Sequence, residues 1–487
     1  MPFIIHAIGD RDYGIWVLVG SIMGYYGLLD FGITSAVVRY VSKFSAVKDD
    51  RNINQIFNTS LFLFSLVAMV VIMASTLLAS TISLWVKVPK EQFEVLSKII
   101  MIVGLSLAIS FPCRVFGGIL RALVRYDIVS GIRISSTFFR TILIILFLKK
   151  GGGLLSLAYI TFFVSLGTNL LLVFFTLKEY NGLKIGFSYI HRDKFRSIFS
   201  YALFTFVIMM ADRLRFCTDS LVIGGFLSVA AITYFAIAGR LVEHFKDLVT
   251  SLLGVLTPVY SSYESQNDYQ KIRELVLLST KYSALVSFFI GSLLILYGKE
   301  FISLWVGEKF NVSYNILIVL TIPYIIALVQ SPSVSMLYGI SKHNFFAYVT
   351  IIEGLTNVIL SILLVKKFGL IGVALGTAIP MFFVKTFIQP FYVCKIIKLS
   401  VFEYFLKSIL RPLAASIGFI VIISTIKWIG PAALNSYFNM LVFLGISSLI
   451  FCTIIYYTAL DQKEKAFLKG RLLYFYPSIG GFSNGQN

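Results

Sequence analysis

Residues 82–86 read Ile-Ser-Leu-Trp-Val, and residues 302–306 read Ile-Ser-Leu-Trp-Val again, 220 positions on. Working outward from that pair, Pro112 answers Pro332 at the same spacing. Leu148-Lys149-Lys150 answers Val365-Lys366-Lys367, 217 positions on, and each basic pair precedes a glycine that opens an apolar run, GLLSLA from Gly153 and GLIGVA from Gly369. Tyr13 answers Tyr234. Apolar sequences share single words by chance, but a nearly constant offset at four places marks an internal duplication in one orientation.

The composition says where the duplicated chain lives. Of 487 residues, 58% are hydrophobic and 13% charged, with mean hydropathy +0.87. A soluble domain carries about 25% charged residues, so a soluble enzyme and a disordered chain are excluded. The apolarity also argues against a nucleic-acid partner, despite the net charge of +19. The apolar runs are continuous rather than alternating, which excludes a β-barrel. At roughly 20 residues per span, the sequence predicts an all-α polytopic membrane protein. The runs at 14–38 and 196–226 are long and carry charges, so each is expected either to kink or to extend past the bilayer. The duplication organises these helices as two six-helix lobes plus two C-terminal helices: residues 1–178, residues 179–398, the extra pair at 399–460 and a cytoplasmic tail at 461–487. At an offset of about 221 residues Met1 falls on Val222, so PFIIHAIGD corresponds to the tail of a first helix that is otherwise largely missing.

Lysine and arginine set the orientation. Alternate loops holding Arg39, Lys43, Lys48 and Arg51, then Arg121 and Arg125, the 178–196 cluster, Lys271, Arg273 and Lys281, Lys342, Lys395, Lys398 and Lys407, and the tail outnumber the opposite loops by more than two to one. The basic set is expected in the cytoplasm, with the C-terminus. HRDKFRSIF at 191–199 and KLSVFEYFLKSILRPL at 398–413 mix basic and large apolar residues, which fits either helices in the headgroup layer or ordinary basic loops.

Ionisable residues inside spans are costly unless they face a cavity or a partner. Asp212, Arg215 and Asp219 stand on one helical face, with Arg213 beside them; Arg240, Glu243, His244 and Asp247 share a face of the next span. Arg133 and Arg140 lie one heptad apart on another span, and Asp30, Glu353 and Lys385 are isolated. Two readings stand: a polar cavity whose arginines bind an anionic group, or internal ion pairs that hold helices together. Guanidinium suits phosphate because its fork pairs bidentately. Arg133, Arg140, Arg213, Arg215 and Arg240 are the expected anion contacts, with Lys385 and Arg39 as further candidates. Asp219, Glu243 and Asp247 are the expected ion-coupling carboxylates, with Asp30 and Glu353 behind them.

No Walker A loop, HExxH or zinc-type Cys/His cluster is present. Cys113, Cys217, Cys394 and Cys452 sit in apolar surroundings without a CxxC pair and read as small hydrophobes. No catalytic residue, metal or cofactor is expected; an integral-membrane transferase would normally carry a loop cluster of carboxylates, and the one adjacent pair, Asp49 and Asp50, sits in a short basic loop.

One stretch carries a family likeness. In residues 8–43, Ile8-Gly9, Tyr13-Gly14, Asp30-Phe31-Gly32, Ala36 and Arg39-Tyr40 resemble the opening of O-antigen (Wzx-type) flippases, which move polysaccharide repeat units. These belong to the superfamily that also holds multidrug and toxic compound extrusion transporters and lipid II flippases. The run from Thr218 to Ser228, followed by YFAIAGRL at 234–241, resembles the entry to the second lobe. The resemblance implies alternating access between two lobes in the bacterial inner membrane. It implies an undecaprenyl-pyrophosphate-linked oligosaccharide as cargo, for O-antigen, capsule or exopolysaccharide synthesis, with a proton or sodium ion as coupling ion. Membrane lipids, a polysaccharide polymerase and chain-length machinery are the partners it suggests. A multidrug/cation antiporter and a lipid II flippase are the alternatives on the same fold.

Overall fold

The computed structural model describes residues 1–86, 90–199, 218–251, 253, 256–342, 344–429, 436–462 and 464–466. Every regular element among them is a helix. In chain order these are α1 (Pro2–Tyr26), α2 (Ile33–Ala46), α3 (Asp50–Trp85), α4 (Lys90–Ala122), α5 (Tyr126–Lys149), α6 (Leu154–Glu179), α7 (218–226) and α8 (Val229–Ser251). Then follow α9 (Leu256–Ser265), α10 (Tyr269–Val306), α11 (Val312–Val329), α12 (Ser331–Gly339), α13 (Asn344–Phe383), α14 (Gln389–Ile397), α15 (Val401–Phe405), α16 (Arg411–Ile429) and α17 (Tyr437–Thr458). Ten helical stretches among the described residues are long and apolar enough to cross a membrane. This is a multi-pass membrane protein. Its outer surface is apolar, as lipid requires: Met73, Leu84 and Leu77 of α3 are all largely exposed.

Contacts sort the chain into two compact units. One is Met1–Arg240 with Asn344–Met381, the other Leu241–His343 with Phe382–Asn487. In the first unit, Phe57 and Phe64 of α3 meet Phe116 and Phe111 of α4 at centroid distances of 5.2 and 5.8 Å. In the second, Phe289, Phe419 and Phe451 join α10, α16 and α17. Lipid tails are as apolar as these rings, so close packing rather than water exclusion holds such helices together.

Local backbone features recur at nearly the spacing of the sequence repeat. Asp49 caps α3 by accepting from Asn52 N, and Asp268 caps α10 by accepting from Lys271 N. Left-handed residues recur at the same offset: Lys48 and Asn267, Val124 and Ser341, Gly151 and Gly369. These are turns where φ is positive, so the chain reverses at matching places in both copies.

Breaks fall at two of the expected places, within 14–38 and before Gly369, and the segment 398–413 differs from both of its readings. The span at 14–38 is not one helix: a 3₁₀ turn at Gly27–Asp30, with Phe31 and Gly32 left-handed, separates α1 from α2. The segment 398–413 is no separate surface helix. It is the opening of one continuous helix through α15, a π-helical turn at Leu406–Leu410 and α16, with Tyr404 and Ser408 wholly buried. α13 folds back at Gly369 (φ 58°, ψ −132°), so it supplies two antiparallel limbs. Gly372 and Gly376 make that hairpin tight, because a Cβ at either would run into Leu364 or Ser361 of the opposite limb.

One structural device has no signature in charge or hydropathy. Asn54 and Asn58, one turn apart on α3, bond the backbone of the extended stretch after α6. Asn54 bonds the carbonyl of Gly182 and the amide of Lys184; Asn58 bonds the carbonyl of Lys184 and the amide of Gly186. Side-chain amides, which both donate and accept, thereby satisfy a backbone that no helix covers. The 192–199 run that follows is helical, with Phe195 and Phe199 exposed and stacked.

Candidate functional site

The strongest convergence of polar groups lies in the first unit. Glu353, Asn357 and Ser361 occupy successive turns on one face of α13's first limb, all nearly fully buried. Thr377 faces them from the second limb, and Asp219 comes from α7. Thr377 Oγ1 donates to the Asp219 carboxylate, 3.3 Å from each oxygen, and accepts from Asn357 Nδ2 at 3.0 Å. Ser361 Oγ lies 3.4 Å from both Asn357 Oδ1 and the Val373 carbonyl. One carboxylate, two hydroxyls, an amide oxygen and a main-chain carbonyl thus meet at a glycine-tight crossing. Hard oxygen donors with a single negative charge suit a small alkali cation or a proton, not a soft metal. Among the described residues no three His, Cys, Asp or Glu side chains gather as a metal site. The signal for this site was the i, i+4, i+8 series Glu353–Asn357–Ser361 in an apolar span; only its first member was singled out by charge.

α5 carries the anion candidates. Arg133 and Arg140 are exposed and make no ion pair among the described residues. Between them on the same face of α5, Ser136 shares a hydrogen bond of 2.6 Å with Thr168 of α6. At 1.5 Å per residue, Arg140 stands about 20 Å into the helix, deep in the hydrocarbon layer.

The other candidates separate. Arg39 is exposed on α2, with its guanidinium 5.9 Å from the Tyr40 ring. Arg240 is exposed and hydrogen-bonds the Tyr13 hydroxyl. Glu243, His244 and Asp247 form an exposed stripe on α8, as their spacing predicts. Arg213 and Arg215 lie outside the described residues. Asp30 is not isolated. Arg114 of α4, which charge-counting missed, pairs with it at 3.0 Å, and Thr34 donates to it through both backbone and hydroxyl. Arg114 also stacks over Phe111 at 4.3 Å. Asp30 therefore fixes the α1–α2 turn, and its charge is already neutralised.

Lys385 is not isolated either. It lies buried in a π-helical turn of the second unit (Val384–Ile388) and donates to Gln389 Oε1 at 3.1 Å. Gln389 in turn donates to the Gln330 carbonyl and to Ser333, and Tyr404 donates to Gln330 Oε1 at 2.7 Å. This chain of bonds satisfies every member with a neighbour, which is how polar groups survive in a membrane interior. Elsewhere in that unit, buried Lys281 pairs with Glu464 (2.6 Å) and Asp461 (3.3 Å), and Arg411 pairs with Asp461. A groove of about 670 Å³ lies between α10 and α16 beside this clamp.

A helical membrane scaffold with buried oxygen donors in one place and exposed arginines in another has clear relatives. The family model described as polysaccharide biosynthesis protein matches residues 8–315. The chain belongs to that family. It is 24% identical over 211 residues to the probable low-salt glycan biosynthesis flippase Agl15 of Haloferax volcanii, a match covering 43% of this chain but only 44% of that relative. It is 21% identical over 422 residues to the membrane protein EpsK of Bacillus subtilis, covering 85% of this chain and 83% of that one. In fold it is similar to the lipid II flippase MurJ (TM-score 0.72, 20% identity, 93% and 95% of the two chains). It is also similar to a multidrug resistance MATE transporter of the MOP superfamily (TM-score 0.71, 15% identity, 82% and 93%). The family likeness read from residues 8–43 is borne out, and the protein is a multi-pass membrane protein of the polysaccharide-biosynthesis family.

Proposed function

We propose that the protein moves a lipid-pyrophosphate-linked oligosaccharide repeat unit across the bacterial inner membrane by alternating access of two lobes, 1–178 and 179–398, with the C-terminus in the cytoplasm. The observation that carries this reading is Arg133 and Arg140: two exposed arginines without a protein counter-charge among the described residues, on a helix that crosses the hydrocarbon. Such residues are stable where a water-filled path and an anion meet them. A pyrophosphate presents oxygens on both sides, so two guanidinium groups two turns apart can hold it while the polyprenyl chain stays in lipid. Arg240, Arg39, Arg213 and Arg215 are proposed to extend this basic lining. Undecaprenyl is the proposed carrier, and the product would feed O-antigen, capsule or exopolysaccharide polymerisation.

Transport is coupled, in this reading, to sodium at the Asp219–Asn357–Ser361–Thr377 site. The neutral hydroxyl and amide oxygens around a single carboxylate favour a bound cation over a bare proton. Glu353 belongs to the same face. Glu243 and Asp247, exposed on α8, are proposed as further coupling carboxylates.

The test is complementation in a strain lacking its own repeat-unit flippase. Arg133→Gln with Arg140→Gln should abolish surface polymer while the protein still reaches the membrane, because each charge-assisted bond is worth about 1.5–3 kcal/mol. Full polymer synthesis by the double variant would sink the cargo assignment. Rescue of a lipid II flippase depletion, or export of cationic dyes by reconstituted protein, would reassign the cargo within the same fold.

A further inference from the structure

Within the first unit, α1 runs antiparallel to the stretch from 218 to 240 along a single seam. Near one end, Thr233 Oγ1 donates to the Asp10 carbonyl at 2.5 Å. One turn on, Gly14 lies so close to α8 that a Cβ would overlap the Val229 carbonyl. This is backbone against backbone, the closest approach helices make. At the other end the Tyr25 and Thr218 hydroxyls share a hydrogen bond of 2.5 Å. Thr218 is the residue before Asp219. Neighbouring residues on a helix project about 100° apart, so one turn of α7 offers Thr218 to α1 and Asp219 to Thr377 of α13.

We propose that Tyr25 is a positioning residue for transport: it passes the occupancy of the Asp219 cation site to α1, so that the Gly14 seam opens and closes with the ion. The proposal rests on the sodium-coupled reading above. A cation entering the site takes the carboxylate oxygens that Thr377 now bonds, which shifts that turn of α7 against α13. Thr218 moves with the turn because a helix is stiff over one residue. Its bond to Tyr25 carries the shift across to α1. Glycine at position 14 lets the seam close without repacking a side chain.

The seam can be read directly by cross-linking. Cysteines replace Asp10 and Thr233 in a chain whose Cys113, Cys217, Cys394 and Cys452 are serine, and disulfide formation in membrane vesicles is followed in sodium chloride and in choline chloride. With Tyr25 present, sodium should change the rate by about fivefold, the equivalent of one hydrogen bond. Tyr25→Phe should reduce that response to less than about twofold, Thr218→Val should do the same, and the double variant should add nothing further. A sodium response that survives intact in Tyr25→Phe, or a uniform change in both salts, overturns the proposal, since the first denies the link and the second shows only a structural role. The sodium reading is checked apart from it, by the thermal shift that sodium gives the purified full chain and its loss in Asp219→Asn. A sodium shift without a cross-linking response rejects the link alone. The absence of both rejects the coupling ion and the link together.

Discussion

α5 and the first limb of α13 each end in a basic pair, Lys149-Lys150 and Lys366-Lys367, 217 positions apart. At that offset Arg140 corresponds to Asn357. In α5 this place is an exposed arginine; in α13 it is a buried amide within the Asp219 cluster. One copy presents positive charge to whatever solvates it, and the other gathers oxygen around a carboxylate. Two helices that share a terminal basic pair thus differ in the polar group at one matching position, an exposed guanidinium in one and a buried amide in the other.

Making the copies alike is the sharpest way to break this contrast. Asn357→Arg would set a guanidinium beside Asp219 as a permanent counter-cation, and ion-coupled transport should fall more than about a hundredfold, since a buried charge alters a site by several kcal/mol. Arg140→Asn should cost about tenfold, the loss of one charge-assisted bond. Glycolipid translocation in sealed vesicles measures both, and the reverse ranking would refute the division of roles. The second contrast is one of packing. Gly376→Leu should destabilise the protein by about 2–4 kcal/mol, because the hairpin has no room for it. Gly131→Leu on α5, where a Cβ meets open space, should leave thermal unfolding in detergent nearly unchanged. A smaller effect tests the symmetry itself: Asp49→Ala and Asp268→Ala remove matching caps and should each cost about 1 kcal/mol.

The smallest expected effect lies outside the duplicated helices. Burial opposes the Asp461 charge, but Arg411 and Lys281 outweigh it and hold its pKa below the ordinary carboxylate value. A depressed pKa stabilises the folded state above about pH 4, and the contribution fades as pH falls through the lower folded value. Protease nicking just after α17 should therefore rise below about pH 4. In Lys281→Met the rise should begin at higher pH.

Much of the scaffold was legible because lipid imposes a simple rule. Backbone groups must be satisfied internally, so apolar length alone announces helices, and ISLWV announced their duplication. Charge in an apolar run marked Arg133, Arg140 and Asp219, since a charge there needs a reason. The same rule concealed Asn357, Ser361 and Thr377, because neutral polar residues are common in spans and cost little to place. It also misled at Asp30 and Lys385, whose partners Arg114 and Gln389 are distant in sequence or unremarkable in charge.

The sequence by itself determined a membrane-embedded, duplicated helical chain, because hydropathy and repetition are properties of the linear order. Only the tertiary structure decided which polar groups meet. Two glycines at 372 and 376 bring the limbs of α13 together, and that approach, not composition, turns Asp219 from a lone carboxylate into one member of an oxygen-lined site.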